Sequence, residues 1–162
     1  MNLQEQIKRI QSLMGVINES KYDKFKKNWV NVGDSYCDFD ISKPLSISIY
    51  LFPNDNGFLV ELLYNNSLVG SFHSFVDEEE GQMNDVEIDE KFRGIGLGKI
   101  LLLVAINVSN NSLGFFGSDT RGLTKDQESV YKSLNNTGAL KKWDEIDYNN
   151  AQNLINEIIG KL

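Results

Sequence analysis

Apolar positions change period along the chain, and each change marks an element. Leu3, Ile7, Ile10, Met14 and Ile17 recur at helical spacing, so residues 3 to 17 read as an amphipathic helix that packs on the domain or docks on a partner. Residues 20 to 44 are polar and hold apolar residues at no clear period. From Leu45 the period becomes two: Leu45, Ile47, Ile49 and Leu51 alternate with Ser46, Ser48 and Tyr50, as in a half-buried strand. Pro53-Asn54-Asp55-Asn56-Gly57 is turn chemistry, and Phe58 to Tyr64 is a second strand. Asn65-Asn66 suits a tight hairpin, because Asn tolerates the left-handed region. Ser67 to Val76 and Gln82 to Asp89 complete an antiparallel meander, turned at Asp77-Glu78-Glu79-Glu80-Gly81. Lys99 to Val108 is then a helix-like run so apolar that it reads as buried. Leu113 to Gly117 reads as a short strand, and the strand–helix–strand unit predicts a parallel pair with a right-handed crossover. Thr124 and Gln127 form a capping box for a helix that starts near Lys125, carries Val130, Tyr131 and Leu134, and ends at Gly138. Ala139 to Trp143 reads as a last strand. Asn150 reads as the cap of a final helix with Ala151, Leu154, Ile155, Ile158 and Leu162 on one face.

Between the last meander strand and the buried run stands Arg93-Gly94-Ile95-Gly96-Leu97-Gly98. A glycine-rich turn that opens a helix gathers main-chain N–H groups at one point, where the helix dipole favours an anion such as a pyrophosphate. A P-loop would need Ser or Thr after the lysine, but Ile100 follows Lys99. A Rossmann turn would need G-x-G-x-x-G and an early βαβ unit, but Gly94, Gly96 and Gly98 are evenly spaced and too little chain follows. The pattern R-x-x-G-x-G after an extended segment fits in full with Arg93, Gly96 and Gly98.

That pattern, with Val86, Ile88, Asp89 and Phe92 ahead of it, resembles the pyrophosphate loop of the GNAT superfamily, the acyl-coenzyme A-dependent N-acetyltransferases. The element order over roughly residues 45 to 143 is similar to that fold. The resemblance implies an α+β fold: a mixed, mostly antiparallel sheet flanked by helices and splayed at the acyl-coenzyme A site. It divides the chain into an N-terminal helix and irregular segment, 1–44, packed on a GNAT-like acyltransferase domain, 45–162. The implied activity is transfer of an acetyl group from acetyl-CoA, as co-substrate, to an amine by direct attack. Main-chain N–H groups from Gly94 through Ile95, Gly96, Leu97 and Gly98 to Lys99 would hold the pyrophosphate, with Arg93 adding charge or tying down the loop. The edge of Val86-Glu87-Ile88 would pair with the pantetheine arm. Tyr131 matches the family's tyrosine general acid, although the sequence after it is longer than the family pattern; a core tyrosine is the alternative. Glu87, or Asp85, would serve as base, against the alternative of ordinary polar strand positions. His73, Ser118 and Asp119 are weaker candidates of the same kind. The family places two helices between its first and second strands, whereas here only Pro53 to Gly57 intervenes. Either residues 1 to 44 build the acceptor site instead, or it is missing; a missing site would suit the second reading, a non-catalytic GNAT-like binding or assembly module. The opening Ile7 to Met14 is similar to leader segments of some phage proteins, so a phage-encoded module belongs to that reading.

Composition narrows the classes. A chain of 162 residues, 41% hydrophobic with two prolines, is long enough to bury a core. A net charge of −7 argues against nucleic acid as a partner. Lys21, Lys24, Lys26 and Lys27 form a local basic segment, either solvated or touching phosphate. The lone Cys37 and absent signal-like opening point to a reducing, cytoplasmic setting. The apolar run from Ile100 to Ile106 is too short to span a membrane. With one histidine and one cysteine, no metal site is expected. The acidic turn Asp77 to Glu80 would attract a cationic acceptor, a small-molecule or protein amine, and a homodimer is left open.

Overall fold

The period-two segments pair in chain order. In the computed structural model, which describes residues 29–52, 57–77, 81–113, 125–142 and 145–162, they form a five-stranded antiparallel sheet ordered β1-β2-β3-β4-β5. The strands are β1 (Val30–Gly33), β2 (Leu45–Phe52), β3 (Gly57–Tyr64), β4 (Ser67–Asp77) and β5 (Gly81–Ile88). Asn65 and Asn66 turn the β3–β4 hairpin with φ of 48° and 66°, the left-handed pair that a tight hairpin turn requires. β1 lies within the segment that shows no clear period. It is short, and an irregularity between Asn31 and Gly33 breaks its alternation, so it left no legible pattern. It adds residues of the 1–44 segment to the same sheet as β2.

One face of the sheet carries Ile49, Phe58, Val60, Leu62 and Phe72, joined across β2, β3 and β4 by register. On that face lies α1 (Leu97–Val108), buried at Leu97 and continuously from Ile100 to Val108. A helix apolar on every side has to be covered on every side. Gly70 lets it come close: a Cβ there would stand 2.8 Å from Ile88 Cδ1 and 3.0 Å from Leu101 Cδ1. α2 (Lys125–Asn136) adds Tyr131 and Leu134 to this core, and α3 (Tyr148–Ile159) adds Ala151, Leu154, Ile155 and Ile158. The result is an α+β fold with an open antiparallel sheet and helices packed on it.

Three expectations change. Leu113 ends a π-helical turn, Ser109–Leu113, that continues α1, and so does not begin a strand. The rest of that expected strand, its parallel pairing and Thr124 of the capping box lie outside the described residues. Ala139 to Trp143 forms no strand among the described residues; the chain doubles back at once, leaving an isolated bridge between Leu140 and Ile146 held by Lys141 N to Glu145 O at 2.8 Å and Asp147 N to Ala139 O at 2.9 Å. The cap of α3 is Asp147, not Asn150: its carboxylate accepts the Asn150 N–H at 3.1 Å, because the helix opens earlier and presents that donor.

Asn107, fully buried on α1, ties the β1–β2 connection to two helices. Its Oδ1 accepts from Asp38 N at 2.8 Å, and its Nδ2 donates to Asp38 Oδ2 at 2.8 Å and Tyr148 Oη at 3.0 Å. Asn111 Nδ2 adds a 2.8 Å bond to Asp38 Oδ2. The amides of Asn111 and Asn107 hold the Asp38 carboxyl below the usual aspartate range. With the folded pKa below the unfolded one, this contribution is complete above the ordinary value of 3.8 and is lost as pH falls through the folded pKa. Asn107→Ala should therefore cost about 2–3 kcal/mol in urea unfolding at neutral pH. Asp38→Asn should flatten the acid limb of stability relative to the parent.

Candidate functional site

The site is built where β5 runs into α1. Asp89 N donates to Val69 O at 2.9 Å. These residues stand opposite each other in the continuation of the Gly70–Ile88 register, so they form a hydrogen-bonded pair. Antiparallel pairs alternate; the main-chain groups of Asn84, Val86 and Ile88 therefore point away from β4, at the outer edge of the last strand of the described sheet. The contact from Arg93 Nε to Ile88 O, 3.1 Å, agrees with that direction.

A 3-10 turn, Glu90–Phe92, follows, capped by Asp89 Oδ1 on Lys91 N at 3.0 Å. Gly94 and Gly96 then take φ of +80° and +115°, backbone that a side chain disfavours. Lys99 N donates to Gly96 O at 2.9 Å. Among the described residues, no protein acceptor takes the N–H groups of Gly94 to Gly98. The three glycines have different reasons to be glycine. At Gly94 an added Cβ would meet nothing, so backbone angle alone asks for it. At Gly96 a Cβ would stand 3.0 Å from Ile158 Cδ1 and Cγ1, so the last turn of α3 props the loop from below. At Gly98 it would make an ordinary 3.8 Å contact with Val130 Cγ2. Neither packing nor a positive φ demands glycine there, in a helix that glycine weakens.

The remaining candidates divide. Leu97 is buried, and Ile95, Val86 and Ile88 are half-buried against the core. Lys99, half-buried in the first turn, reinforces an effect made chiefly by the 2.8 Å bond from Lys161: both hold the Glu157 carboxyl below its usual range. The Arg93 guanidinium is a brace; besides Ile88 O it lies 3.9 Å from Glu90 Oε1 in the open. Glu87 is exposed and registers with Ser71, while Asp85 registers with His73, on the sheet face opposite α1. Tyr131 is buried in the core, and desolvation raises its pKa, keeping the phenol protonated at any working pH. Its neighbour Val130 is the residue beside Gly98. His73 sits among rings, with centroids at 4.8 Å from Phe75, 5.5 Å from Phe52 and 6.0 Å from Trp29. The Cys37 thiol is pushed up to about 11 by burial, so it is a poor nucleophile at neutral pH. Ser118, Asp119, the turn residues Glu78 to Glu80, the Lys21–Lys27 segment and the helix expected at 3–17 lie outside the described residues. The contact of Ile158 under Gly96 is new: the apolar face of α3 is legible in the sequence, its partner is not.

The model of the acetyltransferase (GNAT) family matches residues 19–120. The chain belongs to the GNAT family. No curated protein and no solved structure matches it. The matched span takes in the whole described sheet, the glycine turn and α1, and it starts before β1. Membership makes an acyltransferase-type function the general expectation for this chain. Among the described residues, no helix is long and apolar enough to cross a membrane. The GNAT loop geometry gives opposite expectations for two glycines. Gly98→Ala should stabilise the ligand-free protein by about 0.5–1 kcal/mol. Gly96→Ala, strained in φ and pressed on Ile158, should cost about 1–3 kcal/mol. Chemical denaturation of both variants beside the parent reads the difference.

Proposed function

We propose that this protein is an N-acetyltransferase that moves an acetyl group from acetyl-CoA to an amine by direct attack. The observation that carries the reading is the row of unclaimed main-chain donors, Gly94 to Gly98, continuous with the outward-facing N–H groups of Val86 and Ile88. Such a row suits an anion at the helix start and an amide-bearing arm along the strand. The open space beside Gly94 fits a pyrophosphate brought against the backbone.

Gly94 to Gly98 bind the pyrophosphate with main-chain N–H groups, and Lys99 adds positive charge beside it. Arg93 acts mainly by fixing the turn to Ile88 O. Val86 and Ile88 orient the arm, and an N–H of this edge polarises the thioester carbonyl and receives its developing negative charge. The thioester supplies an activated acyl group whose sulfur leaves as the amine nitrogen bonds to carbon. Glu87 takes the proton that the amine loses. Tyr131 gives a proton to the departing sulfur; burial weakens the phenol as an acid, but the same dry setting raises the affinity of the thiolate for a proton. The acceptor is a small-molecule or protein amine.

One observation favours a second reading, a binding or assembly module without turnover. β2 leads into β3 through residues 53–56, where the family places the helices that shape an acceptor pocket. Free-thiol release with a panel of amines separates the two readings: thermal stabilisation by acetyl-CoA without thiol release supports the module. Two variants test the enzyme reading. Gly98→Asp places a carboxylate that a helix N-terminus tolerates against the pyrophosphate, so acetyl-CoA affinity should fall at least tenfold while the fold persists; unchanged affinity would reject the loop as the site. Tyr131→Phe should lower kcat about 100-fold with little change in KM for acetyl-CoA, and an equal kcat would remove the acid role.

A further inference from the structure

Asn84 Oδ1 is sealed from solvent and has no hydrogen-bond partner among the described residues. A buried acceptor left unpaired is costly, and native structures keep few of them. Asn84 occupies a particular place. It lies on β5, on the same face as Val86 and Ile88 and in register with buried Ser74. By the strand alternation its main chain also faces the outer edge, like theirs. Counting back along β5, Val86 is about 7 Å from Ile88 and Asn84 about 13 Å. The proposed pyrophosphate site lies beyond the Ile88 end of β5, at Gly94 to Gly98, so Asn84 stands toward the reacting end.

A pantetheine arm carries two amide groups joined through two methylenes, roughly 5 Å apart when extended. Resting on the acetyl-CoA reading of the site, we infer that Asn84 is a ligand-positioning residue: its side-chain oxygen accepts the N–H of the arm's second amide, the one next to the sulfur. Val86 and Ile88 hold the arm through the main chain, which any sequence supplies. Asn84 adds a side-chain contact that fixes how far along the edge the thioester comes to rest. The arm reaches this acceptor once the side chain turns about χ1 from its sealed position to the strand edge, and the ligand then supplies the partner that the described residues do not.

The test compares two probes by calorimetry on the full chain. Coenzyme A has the arm, and adenosine 3′,5′-bisphosphate lacks it. Asn84→Leu keeps the volume and removes the acceptor. Its melting temperature should equal or exceed that of the parent, because an unpaired polar atom is gone. Its Kd for coenzyme A should rise roughly five- to tenfold, and its Kd for the bisphosphate should not change. Loss of affinity for both probes together would mark a non-local effect and overturn the inference. Equal coenzyme A affinity in variant and parent would also overturn it, leaving an ordered water as the partner of Asn84. If the leucine variant does not fold, the unmodified protein answers instead. A coenzyme A analogue with an ester in place of the second amide should bind weaker by a similar factor, and equal binding overturns the assignment. Failure of the parent to bind coenzyme A at all would reject the reading of the site and this inference with it, whereas the other negative results reject Asn84 alone.

Discussion

The structure depends on α1 having no wet side. Its residues from Ile100 to Val108 are covered by the sheet, by α2 and by α3. Because that helix cannot shift without exposing apolar surface, the turn at its head cannot shift either. Gly70 allows the close seat on β4 and β5, and Ile158 presses on Gly96 from the opposite quarter. The glycine turn is thus fixed by hydrophobic packing on both flanks, with polar bonds at Arg93 and Asp89 setting its detail.

Electrostatics takes second place in this arrangement. The chain is acidic overall, and the charged groups beside the turn are partly engaged: Arg93 with Ile88 O and Glu90, and Lys99 within the field of Glu157. On the proposed reading the turn would attract an anion through oriented N–H groups, which lose nothing to reorganisation when a ligand arrives. This division suits a cofactor that must bind and leave. A cluster of free cations would hold the anion more tightly, but with less control over its position.

The meander was legible because a half-buried strand writes its face into every second residue, and Asn65-Asn66 needs the same backbone in isolation as in the fold. The glycine turn was legible because its angles rule out most other residues. β1 was not, being short and irregular. The false last strand at Ala139 shows the limit of local pattern: an apolar pair such as Ala139-Leu140 is equally satisfied by burial in a tight reversal. The cap of α3 was misread because Asp147 and Asn150 both suit the role, and only the helix start decides between them. Neither the buried acceptor of Asn84 nor the prop at Ile158 could be read beforehand. Each depends on what a side chain meets across the fold, which spacing along one segment does not encode.

Tight enclosure of α1 also ties the turn to the opening behaviour of the whole domain. A segment sealed on every side has no partial route to solvent, so its amide protons exchange only when the domain unfolds globally. Any molecule that settles on the head of this helix will therefore slow exchange from Ile100 to Val108 by raising total stability and not by shielding nearby atoms. Those buried turns act as a built-in gauge of occupancy, reporting from behind the surface where a ligand would sit.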